Sequence, residues 1–91
     1  MIVWTPRARA NRTAIIDYIA EKNPQAALDM LDEMEAKTDM LDTQAEIGRP
    51  GRVKGTRELV IGKTIIEVYR VRPRLKRVEI LRVLHTAQDY K

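Results

Sequence analysis

The stretch from Arg57 to His85, RELVIGKTIIEVYRVRPRLKRVEILRVLH, limits the fold more than any other part of the chain. Valines and isoleucines recur along it with arginines set among them, and β-branched residues favour a pleated, half-buried surface. Gly62-Lys63 reads as a two-residue hairpin turn and Pro73-Arg74-Leu75-Lys76 as a second break. The expected strands are about Arg57–Ile61, Thr64–Arg72 and Arg77–Leu84, in an antiparallel meander. Strict alternation places Ile66, Val68 and Arg70 on one face of the middle strand. Ile65, Glu67, Tyr69 and Val71 take the other. On the last strand it groups Val78, Ile80, Arg82 and Leu84 against Arg77, Glu79, Leu81, Val83 and His85. Neither strand is cleanly half polar, so both faces are expected to be partly buried, one of them under helices.

The residues before this stretch supply those helices. Ile2-Val3-Trp4 is short and β-prone, an edge or joining strand. Thr5-Pro6 is a helix start, with Thr as N-cap and Pro at the first helical position. The spacing of Ala8, Arg12, Ile15 and Ile19, with Ile16 beside them, predicts a helix over about Pro6–Glu21. Asn23-Pro24 repeats the cap-then-proline signal. A second stripe follows: Ala27, Leu31, Met34, Thr38, Leu41, Ala45. Asp29, Asp32, Glu33, Asp39 and Asp42 lie off that stripe and read as a solvated surface. Gly48 is placed as the residue that ends the helix. Arg49 to Thr56 is a turn-rich connector carrying Arg49, Arg52 and Lys54, and Thr86 to Lys91 a short polar tail in which the role of Tyr90 is open. The whole is an α+β chain: short N-terminal strand, antiparallel helix pair, then a three-stranded antiparallel meander, one domain over 1–91.

Composition narrows the chemistry. There is no Cys and a single His, His85, so neither disulfides nor a thiolate or multi-His metal centre is available in one chain, and no cofactor is expected. No apolar run approaches the roughly 20 residues of a membrane helix, and the N-terminus lacks a signal-peptide pattern, so a soluble cytoplasmic protein is expected. Residues 1–46 carry 5 Lys/Arg against 9 Asp/Glu, a net of −4, whereas residues 47–91 carry 12 against 4, a net of +8. Eight of the eleven arginines lie between Arg49 and Arg82, set among valines and isoleucines. A basic surface for nucleic acid, the ribosome or an acidic protein fits this asymmetry; a solvated basic edge is the plainer reading.

Strand, helix pair and meander, with G-R-x-G-R-V-x-G-T-R-E-L over Gly48–Leu59, Y-R-V at Tyr69–Val71 and V-E-I-L-R-V-L-H over Val78–His85, resemble the RelE/ParE toxins of type II toxin–antitoxin systems. The resemblance spans essentially the whole chain, and its two longest phrases are closer to the ParE, or plasmid-stabilisation, branch. It implies a twisted RelE/ParE-like sheet and an acidic antitoxin partner laid over helices and sheet.

The two branches imply different activities. RelE-like members are ribonucleases that cut mRNA on the ribosome, with cations and a tyrosine or histidine on the concave sheet face. The arginine that branch places three residues before its central-strand tyrosine falls here at Ile66, and the cation after the last strand falls at Thr86. Neither residue can do that work. His85 is the one catalytic candidate if the chain is a ribonuclease, its ordinary pKa of about 6.5 suiting acid–base chemistry; a structural histidine is the other reading. Tyr69 is read as sheet packing or a stacking platform. ParE-like members inhibit DNA gyrase without catalysis. For that activity the basic set Arg49, Arg52, Lys54, Arg57, Arg70 and Arg82 is the expected target-binding surface. Three readings stand at this point: a gyrase-binding toxin, a ribosome-dependent mRNA endonuclease, and a non-toxic relative that binds only its antitoxin.

Overall fold

The computed structural model describes residues 1–86; most of the expected polar tail, including Tyr90, lies outside them. In chain order the elements are β1 (Ile2–Trp4), α1 (Pro6–Lys22), α2 (Pro24–Asp39), β2 (Arg49–Pro50), β3 (Arg57–Ile61), β4 (Ile65–Arg72) and β5 (Arg77–His85). Both proline-led helix starts hold. Thr5 accepts from the Ala8 N–H at 3.1 Å, and Asn23 accepts from the Ala26 N–H at 3.1 Å. Asn23 also closes α1, its own N–H donating to the Ile19 carbonyl at 2.8 Å. One residue therefore caps two helices, which folds them back on each other with almost no loop.

The expected meander forms as β3–β4–β5, but the sheet is wider than three strands. Its order is β1-β5-β4-β3-β2. β1 joins one edge in parallel, Ile2 to Trp4 pairing with Val78 to Ile80. The two-residue β2, inside the segment read as a connector, pairs antiparallel with Arg57 and Glu58 at the other edge. The helix pair covers one face. Ala8, Ile15, Met34 and Leu41 from the helical half meet Leu59, Ile61, Ile65, Tyr69, Val78, Ile80 and Val83 from the sheet, all buried.

Two local expectations need correcting. α2 stops at Asp39, and a 3-10 turn over Met40–Asp42 carries Leu41 into the core, so the helix does not run on to a cap at Gly48. Gly48 instead packs against Tyr69. The Tyr69 hydroxyl accepts from the Gly48 N–H at 2.9 Å and donates to the Ala45 carbonyl at 2.8 Å. Arg57, across the ladder from Tyr69, donates to the carbonyls of Gly48 at 2.9 Å and Glu46 at 3.2 Å. Together they clamp the segment that leads from the helices to the sheet. Burial pushes the Tyr69 phenol above its ordinary range, against the Gly48 hydrogen bond and the Arg57 charge. Tyr69→Phe is expected to cost about 1–3 kcal/mol, the penalty for leaving a buried donor and acceptor unpaired, read as a shift in the urea midpoint.

The faces of β5 also depart from strict alternation. Val68 and Tyr69 are consecutive on β4, yet they pair with Arg82 and Ile80, leaving Leu81 as an extra residue on β5. A bulge of this kind reverses the alternation beyond it. Val78 and Ile80 therefore share the helix-covered face with Val83 and His85, while Arg77, Glu79, Arg82 and Leu84 lie on the open one. The helical half accommodates the irregular backbone: Thr5 Oγ1 donates to the Leu81 carbonyl at 3.1 Å, and the Val83 N–H donates to Asn11 Oδ1 at 3.1 Å.

Candidate binding face

The open face of the sheet divides into an apolar and a basic half. Register places Val60, Ile66 and Leu84 side by side across three strands. Val60 is exposed at 41%, while Ile66, held between its neighbours, is only 5% exposed. Val68 comes next with Arg82 across from it, then Arg70 opposite Glu79 and Arg72 opposite Arg77.

Three guanidiniums converge on the single carboxylate of Glu79. Arg77 reaches it at 2.9 Å, Arg72 at 3.3 Å and Arg70 at 3.4 Å. Desolvation pulls the Glu79 carboxyl upward, but the hydrogen bond and charge of Arg72, the charge of Arg77 and the hydrogen bond of Arg70 outweigh it and hold the group below its ordinary range. One carboxylate among three arginines leaves a surplus of two positive charges. Nε of Arg70, Arg77 and Arg82 each finds no hydrogen-bond acceptor among the described residues.

Beside this cluster the loop after β2 folds over the sheet. The Gly51 N–H donates to the Thr56 carbonyl at 2.8 Å, Thr56 Oγ1 donates to the Val53 carbonyl at 2.6 Å, and Gly55 makes the reversal at φ +86°, where a side chain is disfavoured. Arg52, Val53 and Thr56 thereby face Glu58, Val68, Arg82 and Leu84 across a shallow cleft of about 160 Å³.

The basic residues singled out from sequence are only partly gathered. Arg52 and Arg82 line that cleft together, and Arg70 is on the same face one ladder position beyond Val68. Lys54 is exposed at the loop tip. Arg49 lies at the edge, its guanidinium bound at 2.9 Å to the buried Glu58 carboxylate, which makes it a brace for β2. Arg57 is on the other side of the sheet, committed to the Gly48 and Glu46 carbonyls. Missing from that set were Arg72, Arg77 and Glu79. Continuing the two-residue step from Arg70 to Arg72, then crossing the Pro73 turn to Arg77, was the available signal.

His85 is not beside the arginines. It pairs with Ile65 on the helix-covered face, is buried at 6% exposure, and meets Tyr18 of α1 edge-on at 5.8 Å between ring centroids. Tyr69 is fully buried on that same face. The described open face thus offers guanidiniums, which stay protonated at any physiological pH, around a strongly ionised carboxylate. Such a surface holds anionic or polar groups in place; it has little capacity for proton transfer near neutrality. Among the described residues no cluster of metal-ligating side chains occurs, and no helix is long and apolar enough to cross a membrane.

The family model of the ParE toxin of the type II toxin–antitoxin system parDE matches residues 2–90. The chain belongs to the ParE toxin family. It is 38% identical over 90 residues to "Putative toxin Y4kP" of Sinorhizobium fredii, covering 98% of this chain and 91% of that one. It is also 38% identical over 87 residues to Toxin RelE2 of Caulobacter vibrioides, covering 96% of each. Among solved structures, the chromosomal ParDE toxin–antitoxin system from P. aeruginosa superposes with a TM-score of 0.79 at 27% identity, covering 92% of each chain. The RelBE2 toxin–antitoxin complex of Mycobacterium tuberculosis gives 0.67 at 24% identity over 97% of this chain and 92% of that one, a likeness of fold. This ParE-family chain is thus a toxin of the RelE/ParE superfamily, with the N-terminal strand, helix pair and antiparallel sheet of that fold.

Proposed function

We propose that this ParE-family toxin acts by binding rather than catalysis, as an inhibitor of DNA gyrase, with the open sheet face and the loop over it as the contact surface. The observation that carries the reading is the separation of chemistries. Cations occupy the open face, whereas Tyr69 and His85 are buried beneath the helices on the other. RNA cleavage needs a base for the 2′-OH, an acid for the leaving oxygen and cations for the phosphorane charge; only the last are presented where a substrate would lie. The same surplus of charge suits an acidic antitoxin, encoded alongside, that masks the arginines and covers the exposed apolar half. The P. aeruginosa relative, solved as part of a ParDE toxin–antitoxin system, supports such a partner.

Purified toxin is expected to inhibit gyrase supercoiling and to produce gyrase-linked DNA breaks. Arg70→Ala with Arg82→Ala should raise the concentration needed by at least about tenfold, the scale of losing two charged contacts at an interface. His85→Ala, checked for folding by circular dichroism, should leave inhibition within about twofold of the parent. Intact gyrase activity at saturating toxin sinks the reading. The second reading, a ribosome-dependent mRNA endonuclease, draws on the name of the Caulobacter relative. Primer extension on translated mRNA would then show codon-linked cuts that vanish in His85→Ala. Absence of growth arrest when the toxin is expressed alone would favour a relative that only binds its antitoxin.

A further inference from the structure

We propose that the β4–β5 hairpin is a duplex-DNA-binding ribbon in its own right, independent of any protein target. Six cations, Arg70, Arg72, Arg74, Lys76, Arg77 and Arg82, fall between positions 70 and 82, against one carboxylate, Glu79. Arg70 and Arg72 stand on the open face of β4, Arg77 lies across from Arg72, and Arg82 lies across from Val68. Arg74 and Lys76 are exposed at the tip, where the 3-10 turn Pro73–Leu75 ends in Lys76 at φ 50°. The positive charge therefore covers one side of the ribbon and wraps around its end. A flat acidic protein surface would meet one of those two sets; a concave polyanion meets both.

A DNA groove is such a concavity. Over residues 70–77 the hairpin runs past the last pairings of β3, at Tyr69, and of β1, at Val78, and two strands about 4.8 Å apart, widened by their side chains, are of the size that the roughly 12 Å major groove admits. Guanidinium forks match phosphate oxygens in pairs. The tip also carries an apolar element. Leu75 is 57% exposed and, with Val71, Arg72, Pro73 and Arg74, borders an open concavity of about 530 Å³. Exposed apolar side chains flanked by cations are what DNA-binding ribbons set against base edges and steps. Glu79 acts as a counterweight, occupying three guanidiniums that phosphates would otherwise engage.

The test is fluorescence anisotropy of a labelled 20-base-pair duplex titrated with the full chain, without gyrase, between 50 and 200 mM salt. With about four phosphates engaged, log K should fall with log salt at a slope of about −3.6. Arg72→Gln, Arg74→Gln and Lys76→Gln together alter half- or fully exposed side chains and are expected to keep the fold, checked by circular dichroism. They should weaken binding at least about tenfold and flatten the slope by about 2–3. Glu79→Gln should do the opposite, tightening binding several-fold and steepening the slope by about 1. No duplex binding at 50 mM salt overturns the proposal, as does a folded triple variant that binds like the parent. A poly-glutamate peptide bound as tightly as the duplex would make this an acidic-protein surface, and tighter binding of single-stranded RNA an RNA surface; each overturns the proposal too. Because gyrase is absent, any of these failures leaves inhibition by protein–protein docking untouched.

Discussion

Replacing Glu67 with glutamine is expected to stabilise the fold by about 3 kcal/mol above pH 8 and by almost nothing near pH 4. Glu67 has no exposed surface and sits on the helix-covered face between Leu59 and Val83 of the neighbouring strands. Its carboxyl is pushed up from 4.5 to about 7, burial outweighing the Thr38 hydrogen bond and the charge of Arg12. Thr38 Oγ1 lies 2.8 and 2.9 Å from the two carboxylate oxygens, and Arg12 is held over the Trp4 ring at 4.3 Å from its centroid. Below pH 4.5 the folded and unfolded chains both carry the proton, so the raised pKa costs nothing. From there to about 7 the unfolded chain releases a proton that the folded chain keeps, and stability falls with rising pH by up to about 1.4 kcal/mol per pH unit. Above about 7 both forms are ionised and the full penalty stands. Glutamine has nothing to ionise, and one hydroxyl can donate to its carbonyl while accepting from its amide. Urea midpoints for the parent and Glu67→Gln, taken from pH 4 to 9, should diverge steadily as pH rises; parallel profiles would refute the account.

Gly48→Ala should be among the most damaging single-methyl changes in the chain, lowering stability by about 3 kcal/mol, the upper end for forced overpacking. A Cβ there would stand 2.6 Å from the Tyr69 hydroxyl oxygen, 2.7 Å from its Cε1 and 2.9 Å from the Glu58 carbonyl oxygen. The requirement is for space, unlike Gly62, whose φ of 59° makes it a conformational requirement in the β3–β4 turn. Adding Tyr69→Phe removes the nearest atom but leaves the ring carbon and the strand backbone. The double variant should therefore lose less than the sum of the two single changes while remaining less stable than Tyr69→Phe alone. An alanine variant with an unchanged urea midpoint would show that the 45–48 segment yields freely.

Much of this architecture is written locally. Thr5-Pro6 and Asn23-Pro24 mark two helix starts because a capping side chain and a proline act within one turn. The stripe from Ala27 to Ala45 identified Met34, Thr38 and Leu41 as inward-facing, and they are buried. What local pattern does not carry is where one extra residue enters a strand. Leu81 is an ordinary β residue, and its bulge is held by Thr5 and Asn11, far away in sequence. Strict alternation consequently grouped Arg82 with Val78 and Ile80, and His85 with Glu79, when the structure separates each of them. The destination of Arg57 was hidden for a similar reason: its acceptors are backbone carbonyls, which no side-chain pattern reveals. Arg49 and Arg57 look alike in the string of basic residues, yet one braces an edge strand and the other clamps a loop.

The parallel pairing of Ile2–Trp4 with Val78–Ile80 gives the chain an order of events. Ile2–Trp4 have their sheet partner far along the chain, so that edge cannot close until β5 has been made. Thr5, whose backbone and side chain hold Ile80 and Leu81, waits with them. The bulge that turns Arg82 outward is thus fixed by residues about seventy positions apart in the chain. A partly made chain can form its helix hairpin, but it cannot yet display the finished arginine face. Harmful activity residing on that face would be withheld until β5 has been translated and has paired with β1.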